Sequence, residues 1–332
     1  MTAPLLPRAA AILSDAGLEV VAHDALEPLP AAEVRARVSR AAALLAFMPD
    51  AADGALAAAS PHLRIVAGAL AGADNFDVRA LEAAGVWFTR VPDRLTAPTA
   101  ELAVGLAVAL ARNFRAGDAR VRFGDFAGWR PDLYGRSLAG ADVGVLGLGK
   151  VGRAVAELAL AFGAARVTFC DPDAAAAAWG AARGLARAPD AGALVAASDF
   201  IFPLTPLTPA TRHLVGAAAL ARARPGALLV NAGRGGCVDE AAVARALAAG
   251  TLGGYAADVF ELEDWALADR PRVIDAVLLA HPNTIFTPHL GSAVRSVRAE
   301  IEAEAAENVV DVLVRGVRPR GAVNAPPSPR EA

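Results

Sequence analysis

Three polar positions in the second half of the chain stand just past short apolar runs, and their residue types suit one chemistry. Arg234 lies in Asn231-Ala232-Gly233-Arg234-Gly235, after the apolar run 227–230. An acidic residue, Glu261 or Glu263, follows Asp258-Val259-Phe260. His289 lies in Thr287-Pro288-His289-Leu290-Gly291-Ser292. A planar guanidinium can hold an anion through two parallel hydrogen bonds. A histidine backed by a carboxylate can take or give a proton near neutral pH. Spacing does not separate Glu261 from Glu263. His23, His62, His213 and His281 sit in ordinary loop, surface or helix-end settings, and Cys237 has no visible histidine partner, so these are expected to be structural.

A fourth feature binds rather than reacts. Gly147-Leu148-Gly149-Lys150-Val151-Gly152 fits G-x-G-x-x-G. It follows an apolar strand, opens a helical pattern, and precedes a second strand ending at Asp171, which together form the full context of a dinucleotide-binding turn. Gly147 permits the tight turn, Gly149 lets the backbone approach a pyrophosphate, and Gly152 lets the helix pack closely, its N-terminal amides facing the phosphates. Asp171 would accept hydrogen bonds from ribose hydroxyls and repel a 2′-phosphate, so NAD is expected over NADP. Arg166 is not placed to welcome such a phosphate. Lys150 occupies a variable slot, with a solvated side chain expected.

The elements that must hold these residues repeat as strand, loop and helix. Runs at 42–47, 63–67 and 86–89 read as strands of parallel βαβ units, and Pro98 stands near the first turn of a helix through 111. The rhythm restarts at 143–146, with a helix 151–162 and strands at 166–169, 200–202, 227–230, 255–259 and 285–287. These are short apolar runs, as parallel strands buried on both faces require. A charged helix follows at 294–313, then a loose tail from Pro319, rich in proline at Pro326, Pro327 and Pro329. Phe123, Phe126, Trp129 and Tyr134 crowd one segment, read first as a packed loop covering the core and otherwise as a cleft wall.

Composition sets the outer limits. The 332 residues correspond to about two domains at roughly 150 residues each. A formal net charge of -3, 55% hydrophobic and 20% charged residues exclude a disordered chain and a basic nucleic-acid-coating protein. Of 32 basic residues only Lys150 is a lysine, so any chemistry needing an amine has that residue or the N-terminus. Two cysteines, Cys170 and Cys237, are too few for a disulfide scaffold or a structural zinc site, and no metal is expected. The purest apolar run, 102–111, falls far short of the roughly 20 residues needed to span lipid. No signal peptide is read at the start. A cytoplasmic protein without membrane or nucleic-acid partners is expected.

At these residues the chain resembles the NAD-dependent D-isomer-specific 2-hydroxyacid dehydrogenase superfamily, and within it most resembles the phosphite dehydrogenases. The broad resemblance rests on Gly147 to Gly152, the Arg234 segment, the acidic residue after Asp258, and Pro288-His289. The narrower one rests on Phe47-Met48-Pro49-Asp50, Asp74-Asn75-Phe76-Asp77-Val78, Gly128-Trp129-Arg130-Pro131, Tyr134-Gly135, Val259 to Trp265, Ala268-Asp269-Arg270-Pro271 and Thr287 to Arg298. It implies an α/β fold of two Rossmann-like or flavodoxin-like parallel-sheet domains with an active-site cleft between them. The substrate domain would be discontinuous, 1–97 plus 295–332, around a dinucleotide-binding domain 98–294, and the assembly a homodimer.

The resemblance also implies roles. Arg234 would bind the substrate anion, and His289 with Glu263, rather than Glu261, would handle the proton. Met48, Ala71, Gly72, Tyr134, Ser292 and Arg298 would line or support the anion site. Gly147, Gly149, Lys150, Val151, Gly152, Asp171, Pro203, Leu204, Ala232, Gly233, Asp258 and Gly291 would hold NAD. The reaction implied is hydride transfer from phosphite to NAD+; the alternative is a D-2-hydroxyacid dehydrogenase or 2-keto-acid reductase acting on glyoxylate or hydroxypyruvate. A coenzyme-binding regulator without catalysis is a third reading, opposed by the intact Arg234, Glu263 and His289. One departure bears on the choice. Phosphite dehydrogenases carry a lysine at the position of Ala71, whereas the generic hydroxyacid enzymes hold a carboxylate there with loop amides.

Overall fold

A computed structural model describes residues 1–327 and divides the chain into two compact units. One comprises Met1–Leu95, Trp265–Ala268 and Ser292–Ala332; the other comprises Thr96–Asp264 and Asp269–Gly291. The divisions thus fall a few residues from the boundaries at 97 and 294 read from the sequence, and the segment 265–268 groups with the terminal unit.

The terminal unit is built on three parallel strands, β1 (Ala43–Ala46), β2 (Ile65–Gly68) and β3 (Trp87–Thr89), in the order β1-β2-β3. Neighbouring residues alternate between two apolar layers. Leu44, Val66 and Phe88 pack with Leu56, Phe76 and Leu81, where the Phe76 and Phe88 rings stack at 4.7 Å. Leu45, Ile65 and Ala67 pack on the opposite face with the helices Pro7–Asp15 and Arg295–Leu313. Burial on both faces is why these strands lack a polar alternation.

The C-terminal stretch departs from the loose tail read from its prolines. Ala322 pairs antiparallel with Thr89, and Val323 N–H donates to Phe88 O at 2.9 Å. Asn324 is buried; its amide accepts from Phe88 N at 2.8 Å and donates to Val86 O at 2.9 Å. An exposed strand edge offers unpaired backbone groups, and this segment satisfies them. Pro329 lies outside the described residues.

The central unit carries seven parallel strands: β4 (Asp142–Leu146), β5 (Arg166–Cys170), β6 (Ala186–Arg187), β7 (Phe200–Pro203), β8 (Ala227–Asn231), β9 (Leu252–Ala257) and β10 (Thr284–Phe286). Their order is β10-β9-β8-β7-β4-β5-β6, and helices cover both faces over two apolar clusters. The order reverses between β4 and β7, the switch point at which doubly wound sheets bind ligands beyond the strands' carboxyl ends. The two-residue β6 was not read from the sequence, being too short to give a pattern.

The aromatic segment corrects another expectation. It does not cover the core: Phe123, Trp129 and Tyr134 are 81%, 75% and 76% exposed, beside the helix Phe114–Arg122, which buries no residue. Among the described residues no helix is long and apolar enough to cross a membrane.

Candidate active site

The β4 strand delivers the glycine turn. Gly147 adopts φ +86°, and a Cβ there would come within 2.9 Å of Leu204 O. A Cβ on Gly152 would lie 2.0 Å from Gly147 O, so only glycine lets the helix Lys150–Ala161 start so close to the turn. Gly149 caps that helix, and a Cβ there would meet nothing within 4 Å. The helix start is therefore open to a diphosphate, and Lys150 beside it is exposed, with Val151 half-buried. Asp171, past β5, accepts from Leu148 N at 2.7 Å and Asp173 N at 2.8 Å, which fixes its carboxylate beside the turn. Pro203 ends the neighbouring β7 and Leu204 follows it, its N–H donating to Leu146 O at 2.7 Å. These residues fit a dinucleotide: an open helix start at the switch point, and a carboxylate one strand away.

The β8 strand delivers Arg234. Asn231, at the strand end, turns its side chain onto the following loop, donating to Arg234 O at 3.0 Å and accepting from Gly233 N at 3.1 Å. Gly233 passes so near Pro203 O that a Cβ would lie 2.6 Å from it, and Ala232 before it is buried. The guanidinium donates to Gly233 O at 2.9 Å through Nη1. At Gly235 a Cβ would fall 2.0 Å from the Phe260 carbonyl carbon, and Gly236 N–H donates to Asp264 at 2.6 Å. Thus the arginine loop and the glutamate loop are locked together by backbone contact.

That glutamate loop forms a short 3-10 turn, Glu261–Glu263. Glu263 Oε1 accepts from Phe260 N at 2.9 Å, while Oε2 accepts from His289 Nδ1 at 2.6 Å. Glu261 instead turns to His213, whose Nε2 lies 2.5 Å from Oε1. The two carboxylates that spacing leaves equal are therefore divided between two histidines. His289 sits at φ +57°, in the left-handed region that costs a non-glycine residue strain. Its amide donates to Asp258 O at 2.8 Å. Asp258 itself is buried and gathers the turn, accepting from Thr287 Oγ1 at 2.5 Å, Leu290 N at 2.6 Å and Gly291 N at 2.8 Å. With Nδ1–H committed to Glu263, Nε2 carries the lone pair or the transferable proton, and it makes no hydrogen bond among the described residues.

Behind this pair lies Glu240, which the sequence reading passed over. Burial pushes its carboxyl up to about 7, helped by the charges of Glu261, Asp264 and Glu263 and opposed by the Glu261 amide that donates to it at 2.8 Å. The residue opens the helix Glu240–Ala248 among alanines, with no local sequence feature to mark it. His213 was likewise read as structural, and no local signal marked its partnership with Glu261.

In the terminal unit the turn after β2 presents an unusual backbone. Three successive carbonyls are held: Ala69 O by Arg298 Nη1 at 3.1 Å, Leu70 O by Val91 N at 2.9 Å, and Ala71 O by Arg90 Nη1 at 3.1 Å. The amides of Leu70, Ala71 and Gly72 donate to no protein acceptor among the described residues. Successive backbone amides without a protein acceptor can serve an anion. Arg298 is mostly buried beside the Phe47 ring and Glu302, and desolvation lowers its pKa. Met48 packs against the apolar layer of Phe76 and Phe88, and its carbonyl accepts from Asn75 at 3.1 Å. Ser292 is half-buried, its carbonyl accepting from Val294 N at 2.8 Å. Tyr134 belongs to the central unit and stands on the exposed aromatic segment.

A doubly wound sheet with a glycine turn at its switch point and a His–Glu pair two loops away defines a dinucleotide-dependent oxidoreductase. Residues 104–291 match the family described as D-isomer specific 2-hydroxyacid dehydrogenase, NAD binding domain. The chain is 34% identical to a glyoxylate reductase of Aeropyrum pernix, over 98% of this chain and 95% of that one. Among solved structures it is similar to the TT0316 protein of Thermus thermophilus, with TM-score 0.86 and 34% identity over 97% and 98% of the two chains. It is also similar to an NADPH-dependent glyoxylate/hydroxypyruvate reductase of Sinorhizobium meliloti, solved with NADP and malonate, with TM-score 0.83 and 29% identity over 100% and 98%. The chain belongs to the D-isomer specific 2-hydroxyacid dehydrogenase family and is an NAD(P)-dependent enzyme. The Aeropyrum and Sinorhizobium proteins are named as glyoxylate and glyoxylate/hydroxypyruvate reductases, not phosphite dehydrogenases, so the narrower resemblance read from the sequence is not carried over.

Proposed function

We propose that this protein is a cytoplasmic reductase of small 2-keto acids of the glyoxylate or hydroxypyruvate type, working with NAD. The reading is carried by the His289–Glu263 pair at 2.6 Å, with the Glu263 loop in backbone contact with Gly235, the residue after Arg234. The similarity to glyoxylate reductases supports it, as does Ala71, which supplies no side-chain cation where the phosphite enzymes hold one.

In the forward direction the keto acid, the reduced coenzyme and one proton give the 2-hydroxy acid and the oxidised coenzyme. When bound, the nicotinamide supplies the hydride, which forms the new C–H bond as the carbonyl π bond breaks. Arg234 holds and orients the substrate carboxylate. His289 Nε2 donates its proton to the carbonyl oxygen as charge develops there, and Glu263 stabilises the imidazolium beforehand and keeps its ring in place. In the oxidative direction the same nitrogen takes the hydroxyl proton. The terminal unit, through Met48, Ala71, Gly72, Ser292 and Arg298, serves the substrate. The coenzyme is held by Gly147 to Gly152, Asp171, Pro203, Leu204, Ala232, Gly233, Asp258 and Gly291; Asp258 acts by shaping the His289 turn.

Asp171 favours NAD, since a carboxylate at the end of the second strand of such a sheet would accept from the ribose hydroxyls and repel a 2′-phosphate. Arg187, whose Nη2 donates to Asp171 O at 2.9 Å, is the cation that an NADP preference would employ. The exposed aromatics 123–134 are proposed to be covered in a homodimer, because so many exposed rings on one segment are costly in water. Sedimentation as a monomer at micromolar concentration would remove that part.

The test follows absorbance at 340 nm with glyoxylate, hydroxypyruvate and other 2-keto acids against NADH and NADPH, and separately with phosphite and NAD+. Reduction of glyoxylate or hydroxypyruvate without phosphite turnover is expected. Phosphite oxidation in the absence of keto-acid reduction would replace this reading with the other.

A further inference from the structure

We propose that Arg90 is a positioning residue for substrate: it clamps and polarises the Ala71–Gly72 peptide, so that the open amides of the turn bind a carboxylate without a side-chain cation at position 71. This rests on the substrate role proposed for the terminal unit.

The backbone places Arg90 directly after β3, whose neighbour β2 leads into the turn. Its amide is held by Gly321 O at 3.1 Å, so the residue is anchored by the C-terminal segment docked on the strand edge. Its side chain reaches Ala71 O at 3.1 Å and has no carboxylate partner among the described residues. The charge is therefore not spent on an ion pair. A charge-assisted bond to a carbonyl pulls electron density toward the oxygen and makes the N–H on the other side of that peptide, that of Gly72, a stronger donor. Arg298 does the same to Ala69 O, strengthening Leu70 N–H, but its charge is shared with Glu302 at 3.5 Å. With Val91 N on Leu70 O, each of these three carbonyls meets a donor, and each following amide has no protein acceptor among the described residues, that of Gly72 on a half-buried residue.

The consequence is a site whose positive potential arrives through peptide dipoles rather than by direct contact. Such a site suits a planar carboxylate, which takes two neighbouring N–H groups at once. It also accounts for Ala71. A small residue there keeps the peptide in reach of both the arginine behind it and the anion before it.

The experiment measures oxalate binding to the full chain by calorimetry, and keto-acid kinetics, for the unaltered protein, Arg90→Gln, Arg90→Lys and Arg94→Gln. Arg94 is an exposed arginine paired with Glu300 at 2.8 Å and serves as the charge-matched control. Arg90→Gln is expected to weaken oxalate and raise the keto-acid KM about tenfold, with kcat within about twofold and the NADH KM unchanged. Arg90→Lys should recover a good part of the loss, and Arg94→Gln should show none. Equal KM and oxalate affinity in Arg90→Gln, or a loss of kcat and NADH binding with them, would overturn the proposal. So would failure of the unaltered chain to bind oxalate. If Arg90→Gln melts early, the uncharged, similarly long Arg90→Met carries the decision: a folded Arg90→Met with unaltered oxalate affinity and KM would also overturn it. A chain that binds oxalate through Arg90 but reduces no keto acid would remove the proposed function and leave this inference standing.

Discussion

His289 Nδ1 lies 2.6 Å from Glu263 Oε2, and the other oxygen of that carboxylate is held by the Phe260 amide at 2.9 Å. Both oxygens are therefore fixed before any substrate arrives, and the ring cannot turn without breaking a bond to a carboxylate. Glu263→Gln should lower kcat about a hundredfold with little change in KM, since the loss falls on proton transfer. Glu261→Gln should lower it less than about threefold. Steady-state kinetics on the two variants separate them, and equal effects would show that the pairing is not what matters.

Arg234 should affect binding and chemistry together. Arg234→Lys keeps charge but loses the fork that matches a carboxylate, and about tenfold or more in kcat/KM should be lost. A variant retaining full kcat/KM would displace Arg234 from the substrate.

Gly152→Ala should cost both coenzyme and stability. The added methyl would sit 2.0 Å from Gly147 O, and the turn or the helix must move. A fall of about 1–3 kcal/mol in unfolding free energy is expected, with weaker NADH binding by fluorescence titration. Gly149→Ala, where a Cβ meets nothing, should melt like the parent yet bind NADH less tightly.

Glu240 makes stability depend on pH. Its carboxyl pKa is raised by burial and by neighbouring carboxylates, from 4.5 to about 7. The folded state thus binds the proton more tightly than the unfolded state, and the stabilisation present at low pH is lost as pH rises from about 4.5 to 7. Linkage sets an upper bound of roughly 3–3.5 kcal/mol on this. Glu240→Gln should flatten that segment of the pH profile in chemical denaturation. An unchanged slope between pH 5 and 7 would place the proton elsewhere.

Asn324 tests the docked C-terminal segment. Asn324→Ala leaves Phe88 N and Val86 O without partners at a buried edge, and should cost about 1–3 kcal/mol. Thermal melting reads it directly. No loss would restore the loose tail suggested by the prolines.

The sequence by itself carried the parallel α/β architecture, the glycine turn and the order of Arg234, the acidic loop and His289 along the strand ends. Those are local quantities: the length of an apolar run, the spacing of glycines, the residue after a strand. The strand β6 and the edge-capping segment 321–324 escaped, because a two-residue strand has no period and an asparagine's hydrogen bonds depend on what is folded beside it. The aromatics 123–134 were misread for the same reason, since a hydrophobic residue announces its type but not whether anything covers it. Glu261 and Glu263 stand two residues apart with the same chemistry, and only the backbone contact between Gly235 and Phe260, with the 3-10 turn that follows, sends one to His213 and the other to His289. Likewise nothing near Ala71 in sequence points to Arg90. Parallel pairing of β2 with β3 brings the two turns side by side, and the guanidinium reaches across to Ala71 O. Strand-end chemistry is written locally, but partnership is a matter of angstroms between segments that the chain keeps far apart.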